Sequence, residues 1–234
     1  MGRSCKKLSN VHGYCSAQYK VKETKVVKKY DPITPENAVL LLIDHQVGTL
    51  SFGISDIDPV NLRNNTMWLA QTAKDMKIPV ILTTSNAAGA NGPLFPELIG
   101  MLPGVPIIDR VIINAWHDKQ FKDAVKKTGR KHLIMAGVTT DVCLTFPAIS
   151  AAQEDFDVYA VVDASGTLSL QAFHAALHRM STFGVQTMNT NAVVAELQAD
   201  WSNKFAETTA KSYASYVPNF GYIAAHLEQV KTSK

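Results

Sequence analysis

The 234-residue sequence predicts an α/β fold, a Rossmann-like, three-layer, doubly wound and mostly parallel sheet with helices on both faces. Apolar runs of strand length alternate along the chain with longer segments of helical length, which is typical of a parallel sheet. The first run, residues 38–43, is apolar at every position, as in strands that are buried on both faces. The chain length fits one domain of about 200 residues with extensions.

The individual elements follow from this alternation. Predicted strands occupy residues 38–43, 79–84, 132–136, 157–162 and 185–188, and a further strand begins or ends within residues 110–113. Predicted helices occupy residues 61–76, 119–128, 141–154, 168–183 and 191–198. The loop of residues 85–106 is rich in Gly and Pro and is long, which indicates a functional lid or a subunit contact.

Cys143 lies shortly after the strand of residues 132–136, in the N-terminal turn of the next predicted helix. Backbone N–H groups at a helix N-terminus are unpaired and favour negative charge, so they lower the pKa of a thiol placed there. The thiolate is the nucleophilic form of cysteine. We therefore predict that Cys143 is a nucleophile. The alternative is a small buried apolar residue, which is the commonest role of a free cysteine.

Asp44 directly follows the apolar run of residues 38–43. It is therefore predicted at the carboxyl end of a strand, the edge where open α/β sheets bind their ligands. Because Cys143 also follows a strand, the two side chains are expected to meet in one crevice. A carboxylate beside a thiol indicates a general base that takes the thiol proton. The alternative for Asp44 is an ordinary turn or cap residue.

These segments together resemble a known family. Asp44 behind its long strand and the sequence Gly-Val-Thr-Thr-Asp-Val-Cys at 137–143 are similar to the isochorismatase-like cysteine hydrolases. Two later segments continue this match, residues 161–167 and 174–180. Three others are similar to the YcaC-like branch of the superfamily, residues 83–85, 91–94 and 113–116. The resemblance extends from residue 32 to residue 201.

The resemblance implies a catalytic Asp, Lys and Cys, of which Asp44 and Cys143 match the first and the third. No lysine stands before Asn114 in the segment that corresponds to the second, and Arg110 is the candidate there. An arginine stays protonated, so its role would be to hold Asp44 and to stabilise a thiolate or an oxyanion by charge. The alternative is a surface arginine that pairs with Asp109.

The resemblance also implies a cis peptide bond between Val138 and Thr139, which would turn the Thr139 N–H towards the site. Together with the Cys143 N–H it would form an oxyanion hole. The expected walls of the substrate pocket are Asn86, Trp116 and Phe146. Phe146 lies three residues after Cys143 and so on nearly the same helix face, whereas a tryptophan such as Trp116 is more often core packing.

The activity that this arrangement implies is hydrolysis of a small amide or related C–N bond through a thioester acyl-enzyme, with a small molecule as substrate. Two alternatives stay open: an isochorismatase-type ether hydrolase that does not need the thiol, and a catalytically silent oligomeric binding protein of the same fold. No metal and no other cofactor are expected. Nicotinamidases of this superfamily hold a metal through histidines after the first strand, and residues 55–60 contain none.

Composition and charge limit the partners. The formal net charge is +3, and the excess of lysines lies in the N-terminal arm, so no nucleic-acid partner is expected. No apolar stretch approaches the roughly 18 residues that a membrane span needs, so no membrane partner is expected either. Three cysteines without a secretory signal indicate a reducing compartment. The predicted localisation is cytoplasmic, with mitochondrial as the alternative because the arm is basic.

Three regions are predicted along the chain: a basic extension at 1–30, an isochorismatase-like hydrolase domain at 31–201 and a C-terminal tail at 202–234. The tail is rich in aromatic residues, which favours packing on a neighbouring subunit. With the long loop of residues 85–106, and as the YcaC-like resemblance implies, it predicts a homo-oligomer, a tetramer or an octamer.

Overall fold

The computed structural model describes residues 30–232. Within them, the chain from Pro32 onward forms one compact unit. The predicted basic extension at 1–30 lies, except for its last residue, outside the described residues.

A six-stranded, fully parallel sheet forms the centre of the fold, in the order β3-β2-β1-β4-β5-β6. The strands are β1 (Ala38–Ile43), β2 (Val80–Ser85), β3 (Ile107–Arg110), β4 (His132–Gly137), β5 (Asp157–Val161) and β6 (Gln186–Met188). The predicted α/β class is therefore confirmed. The sequence left open whether a strand begins or ends within residues 110–113. This strand, β3, ends at Arg110, which places Arg110 at the carboxyl edge of the sheet.

Helices cover both faces of this sheet. They are α1 (Val47–Ser51), α2 (Pro59–Asp75), α3 (Pro96–Met101), α4 (Lys119–Lys127), α5 (Thr145–Ala152), α6 (Leu170–Thr182), α7 (Thr190–Gln198), α8 (Ala206–Tyr216) and α9 (Pro218–Thr232). The side chains of β1 alternate between two cores, as the period of a strand requires. Leu40 and Leu42 pack with α2 and α7, whereas Leu41 and Ile43 pack with α4 and α5.

The central strand β1 aligns the ends of its neighbours. Its last residue, Ile43, lies opposite Thr83 of β2 and Gly137 of β4. Residues that follow β1 and β4 therefore leave the sheet at the same edge, one strand apart. Arg110 is the last residue of β3 and lies opposite Ser85 at that edge.

The two aspartates in residues 55–60 accept hydrogen bonds from backbone N–H groups. Asp58 caps α2, since its Oδ1 accepts hydrogen bonds from the backbone N–H groups of Val60 at 2.8 Å and Asn61 at 3.1 Å. Asp56 Oδ1 accepts the N–H of Thr167 at 2.6 Å. Both carboxylates of this segment are thus used to hold the backbone.

The predicted tail after residue 201 includes the helices α8 and α9. The helix α8 packs on α2 of its own chain: the Trp68 indole N–H donates to Ser212 Oγ at 3.0 Å, and the Tyr216 ring stacks on Trp68 with centroids 6.2 Å apart. The first half of the tail therefore belongs to the domain, because its aromatic face finds a partner within the chain. By contrast, α9 contains no buried residue.

None of the helices in residues 30–232 has both the length and the apolar character that a membrane crossing requires.

Candidate active site

The three residues predicted to carry the chemistry come together at the carboxyl edge of the sheet. Asp44 follows β1, Arg110 ends β3, and Cys143 lies in a π-helical turn, Thr140–Leu144, that follows β4. Arg110 Nη2 donates to Asp44 Oδ2 at 2.6 Å, and both side chains are fully buried. The Cys143 thiol is in hydrogen-bonding contact with the Asp44 carboxyl group. The carboxylate therefore stands between a guanidinium and a thiol.

Arg110 is held from two sides. Its Nη2 binds Asp44, and its Nη1 donates to the carbonyl oxygen of Ile112 and, at 3.0 Å, to that of Ile113. The alternative pairing with Asp109 is wrong. Adjacent residues of a strand point to opposite faces, and Asp109 instead accepts the hydroxyl of Thr84 at 2.8 Å.

The Asp44 carboxylate keeps acceptor capacity. Its Oδ1 atom is buried and has no partner of good hydrogen-bond geometry in residues 30–232. Burial raises the pKa of Asp44, and this effect outweighs the lowering by Arg110 and Cys143. A buried oxygen with a free lone pair and a raised pKa is suited to accept a proton.

The pKa of Cys143 differs from the sequence-based expectation. The helix N-terminus was expected to lower it, but burial raises it and the negative charge of Asp44 raises it further. The Thr139 N–H and Arg110 act in the opposite direction with smaller effect. Together these effects favour the neutral thiol of Cys143 over the thiolate.

The turn that carries Cys143 closes tightly on the end of β4. A Cβ atom on Gly137 would lie 3.1 Å from the Leu144 nitrogen and 3.2 Å from the Cys143 carbonyl carbon, so glycine permits the close approach. The Val138–Thr139 peptide bond is cis. The Thr139 N–H is in hydrogen-bonding contact with the Cys143 thiol.

A buried segment, residues 164–167, supports this turn from the side. Ser165 Oγ accepts the Gly137 N–H at 3.0 Å, and the Gly166 carbonyl accepts the Thr140 N–H at 3.0 Å. The Thr167 hydroxyl donates to Asp141 Oδ1 at 2.7 Å. In the sequence, this segment is recognisable only as part of the family resemblance. Its role as the support of the nucleophile turn comes from the structure.

The predicted pocket walls lie in different surroundings. Asn86 is exposed just after β2, and its N–H donates to the Arg110 carbonyl at 2.8 Å, so it lies at the edge that holds the site. Phe146 is half-buried, and the Arg179 guanidinium carbon lies 5.0 Å from its ring centroid.

Trp116, the third predicted pocket wall, lies in the core of the described residues. The side chain is buried, packs against Phe121 and Phe156, and donates its indole N–H to Glu154 Oε1 at 3.1 Å. These contacts favour the alternative of core packing, because the short helical turn that contains Trp116 directs the ring towards α4 and α5.

Gln46 is a site residue that the sequence analysis missed. It is fully buried two residues after Asp44. Its Oε1 accepts the Ser85 N–H at 2.9 Å, and its Nε2 donates to the Gly92 carbonyl. It therefore fixes the start of the loop of residues 85–106 beside the site. The signal available in the sequence was a polar amide two residues after Asp44, close to the end of an apolar strand.

His45 has a structural role. Its Nε2 lies 2.9 Å from the Ala164 carbonyl oxygen, and burial lowers its pKa to about 4. It is therefore neutral near pH 7, and it links the end of β1 to the segment of residues 164–167.

Comparisons with known proteins identify the family of the chain. The chain matches the family model of the isochorismatase domain over residues 38–192. It is 44% identical over 196 residues to the "Probable hydrolase YcaC" of Escherichia coli (strain K12), an alignment that covers 83% of this chain and 93% of that relative.

Two solved structures are also similar. The YcaC gene product from Escherichia coli, an octameric hydrolase of unknown specificity, has a TM-score of 0.83 and 43% identity and covers 87% of this chain and 99% of its own. YcaC from Pseudomonas aeruginosa with hexane-2,5-diol and covalent acrylamide has a TM-score of 0.82 and 42% identity. The match covers 85% of this chain and 98% of that chain. The resemblance found in the sequence is confirmed: the chain belongs to the isochorismatase family of hydrolases.

Proposed function

We propose that the chain hydrolyses a small amide or related C–N bond and that Cys143 is the nucleophile. The observation that supports this most directly is the contact of the Cys143 thiol with a carboxylate that is itself paired with Arg110. A nucleophile, an adjacent base and a group that orients the base form the arrangement that nucleophilic catalysis requires.

In the proposed reaction, Asp44 takes the proton of Cys143 as the sulfur attacks the carbonyl carbon of the substrate. The N–H groups of Thr139 and Cys143 hold the oxyanion of the tetrahedral intermediate. The C–N bond then breaks, and Asp44 gives its proton to the leaving amine. Asp44 next takes a proton from water, which attacks the thioester. The carboxylic acid leaves, and the thiolate recovers its proton from Asp44.

Arg110 completes this scheme as an electrostatic group. It lowers the pKa values of both Asp44 and Cys143, although burial has the larger effect on each. The positive charge therefore offsets part of the cost of keeping a negative charge in a buried site as it moves from carboxylate to sulfur.

The reactivity of a relative also supports a nucleophilic thiol. The YcaC of Pseudomonas aeruginosa carries covalent acrylamide. Acrylamide is an electrophile that thiolates attack, and the reactive form of cysteine is the thiolate. We therefore expect acrylamide to modify Cys143 in this chain.

The direct test of the proposal is a screen of small amides, ureas and hydroxamates by ammonia or hydroxylamine release, with wild type and Cys143→Ser side by side. We expect at least one compound class that only wild type turns over. Equal release by both proteins would contradict the thiol mechanism.

Turnover is expected to survive treatment with a chelator. The segment of residues 55–60 has no histidine, and its two aspartates bind backbone N–H groups. Activity before and after dialysis against EDTA, with metal analysis of the same samples, checks this expectation. A stoichiometric zinc or iron content that is lost together with activity would contradict it.

We also propose that the chain forms a homo-oligomer, a tetramer or an octamer. In α9, Phe220, Ile223, Leu227 and Val230 follow one another at spacings of three and four and form an apolar stripe. These side chains are 39–55% exposed. Exposed stripes of this kind mark contacts with another protein surface, and the Escherichia coli relative is octameric.

Removal of residues 218–234 is expected to lower the molar mass of the assembly and leave the fold intact, because α9 buries no residue. Leu227→Asp should act in the same direction. Tyr222→Asp is the matched control, since Tyr222 is 77% exposed and lies outside the stripe. Light scattering measures the mass, and an unchanged mass for both the deletion and Leu227→Asp would contradict the role of α9.

A further inference from the structure

The loop directly after Arg110 exposes three large apolar side chains in succession. Val111 is 82% exposed, Ile112 43% and Ile113 61%. Native surfaces avoid runs of this kind unless they serve a contact. The loop is also held at both ends, by buried Arg110 and by Asn114, whose side chain caps the short helix Ala115–His117 and donates to Ser150 Oγ at 3.0 Å.

The backbone of this loop is bonded to the catalytic arrangement. One amino group of Arg110, Nη1, donates to the carbonyl oxygens of Ile112 and Ile113, and the other, Nη2, donates to Asp44. The position of the loop and the position of the guanidinium therefore depend on each other. Whatever fixes the loop also fixes the charge beside Asp44.

The chemistry of the loop indicates what covers it. The three exposed side chains lie on a loop that bends at Val111 and Ile113. A small amide in the site could cover one of them but not three, whereas a protein surface can cover a whole segment. The three side chains carry no charge, as the core of a subunit contact favours. The octameric relative from Escherichia coli shows that this fold assembles with copies of itself.

We propose that a second copy of this chain covers Val111, Ile112 and Ile113, and that this contact holds Arg110 in place beside Asp44. The site is then complete only in the assembled protein. The inference rests on the proposed thiol chemistry for its effect on turnover. Its effects on mass and on thiol reactivity do not depend on that chemistry.

Val111→Asp is the test variant. The Val111 side chain is largely exposed, and neither of the carbonyl groups that bind Arg110 belongs to it. The change therefore acts on a contact with another subunit and leaves the bonds of Arg110 within the chain untouched. Val60→Asp is the matched control: Val60 is 70% exposed in the first turn of α2, where an acidic residue is favourable.

Two quantities are measured for each variant: molar mass by light scattering, and the rate of Cys143 alkylation by iodoacetamide as a function of pH. The charged groups that act on Cys143 are Asp44 and Arg110, and Asp109 acts on Asp44 in turn. Val111→Asp is expected to have a lower mass and to need a higher pH for alkylation, so that the rate at neutral pH falls several-fold. Val60→Asp should match wild type in both.

An unchanged mass for Val111→Asp would overturn the inference, and so would a lower mass with an unchanged alkylation curve. A raised KM at unchanged mass would assign the loop to the substrate pocket instead. Should Val111→Asp fail to fold, Val111→Ser gives a milder polar change with the same expected directions. If Cys143→Ser retained turnover, the proposed chemistry would fail, while mass and alkylation would still decide on the contact.

Discussion

Cys143→Ser is expected to fold as wild type does and to lose roughly two or more orders of magnitude in turnover, because a serine alkoxide is much harder to form than a thiolate. The replacement is nearly isosteric and keeps a hydrogen-bond donor towards Asp44. Asp44→Asn should lose activity to a similar extent, since it removes the base while it leaves Arg110 an oxygen acceptor. Steady-state rates on a compound from the amide screen measure both losses.

Two controls make these losses interpretable. Circular dichroism and light scattering should show that both variants keep the fold and the mass of wild type. Near wild-type turnover by Cys143→Ser would instead favour the thiol-independent ether hydrolysis that the sequence analysis left open. Near wild-type turnover by Asp44→Asn would show that another group takes the proton.

Arg110→Ala is expected to retain little activity, and the pH dependence of the remaining activity is expected to shift. The reaction needs ionised Asp44, so activity rises with pH through the pKa of Asp44. Burial raises that pKa, and Arg110 lowers it. Loss of Arg110 therefore raises the pKa further and moves the acid limb of the rate profile to higher pH. Alkylation of Cys143 should shift in the same direction, because Arg110 also lowers the thiol pKa.

The stability of Arg110→Ala has its own pH dependence. A buried carboxylate without its partner costs roughly 3–5 kcal/mol. The pKa of Asp44 in the folded variant is raised, so folding favours the protonated form. The free energy of unfolding of Arg110→Ala should therefore fall furthest below that of wild type at pH values above this pKa. The difference should narrow as the pH falls below it. Denaturant unfolding at several pH values measures this.

Arg110→Lys is the matched variant for charge. It keeps the positive charge without the planar fork that reaches Asp44 and two carbonyl groups at once. We expect partial activity and an acid limb between those of wild type and Arg110→Ala. If Arg110→Ala and wild type give the same alkylation curve, Arg110 does not act on Cys143.

Much of this arrangement follows from local sequence. An apolar strand that ends on Asp44 and another that ends just before the turn of Cys143 are recognisable because strand burial and turn chemistry are local properties. Parallel pairing then brings the two residues to one edge, which fixes their proximity without any knowledge of register. The family resemblance was needed to select Arg110.

Other features depend on contacts between distant parts of the chain. The helix α8 is part of the domain because Ser212 binds Trp68, 144 residues earlier. The ring of Trp116 is buried by neighbours from α4 and by Phe156. The direction of the Cys143 pKa was predicted from the helix terminus alone, whereas the depth of burial, which dominates it, exists only in the folded chain.

The central claim, that Cys143 carries the acyl group during turnover, is tested most directly by mass spectrometry of enzyme quenched with acid in the steady state. An amide that the screen shows to be turned over serves as substrate. We expect the peptide that contains Cys143 to gain the mass of the acyl group and to lose it on treatment with hydroxylamine, as a thioester does. Sustained turnover by an enzyme whose Cys143 has been fully alkylated beforehand would contradict the account.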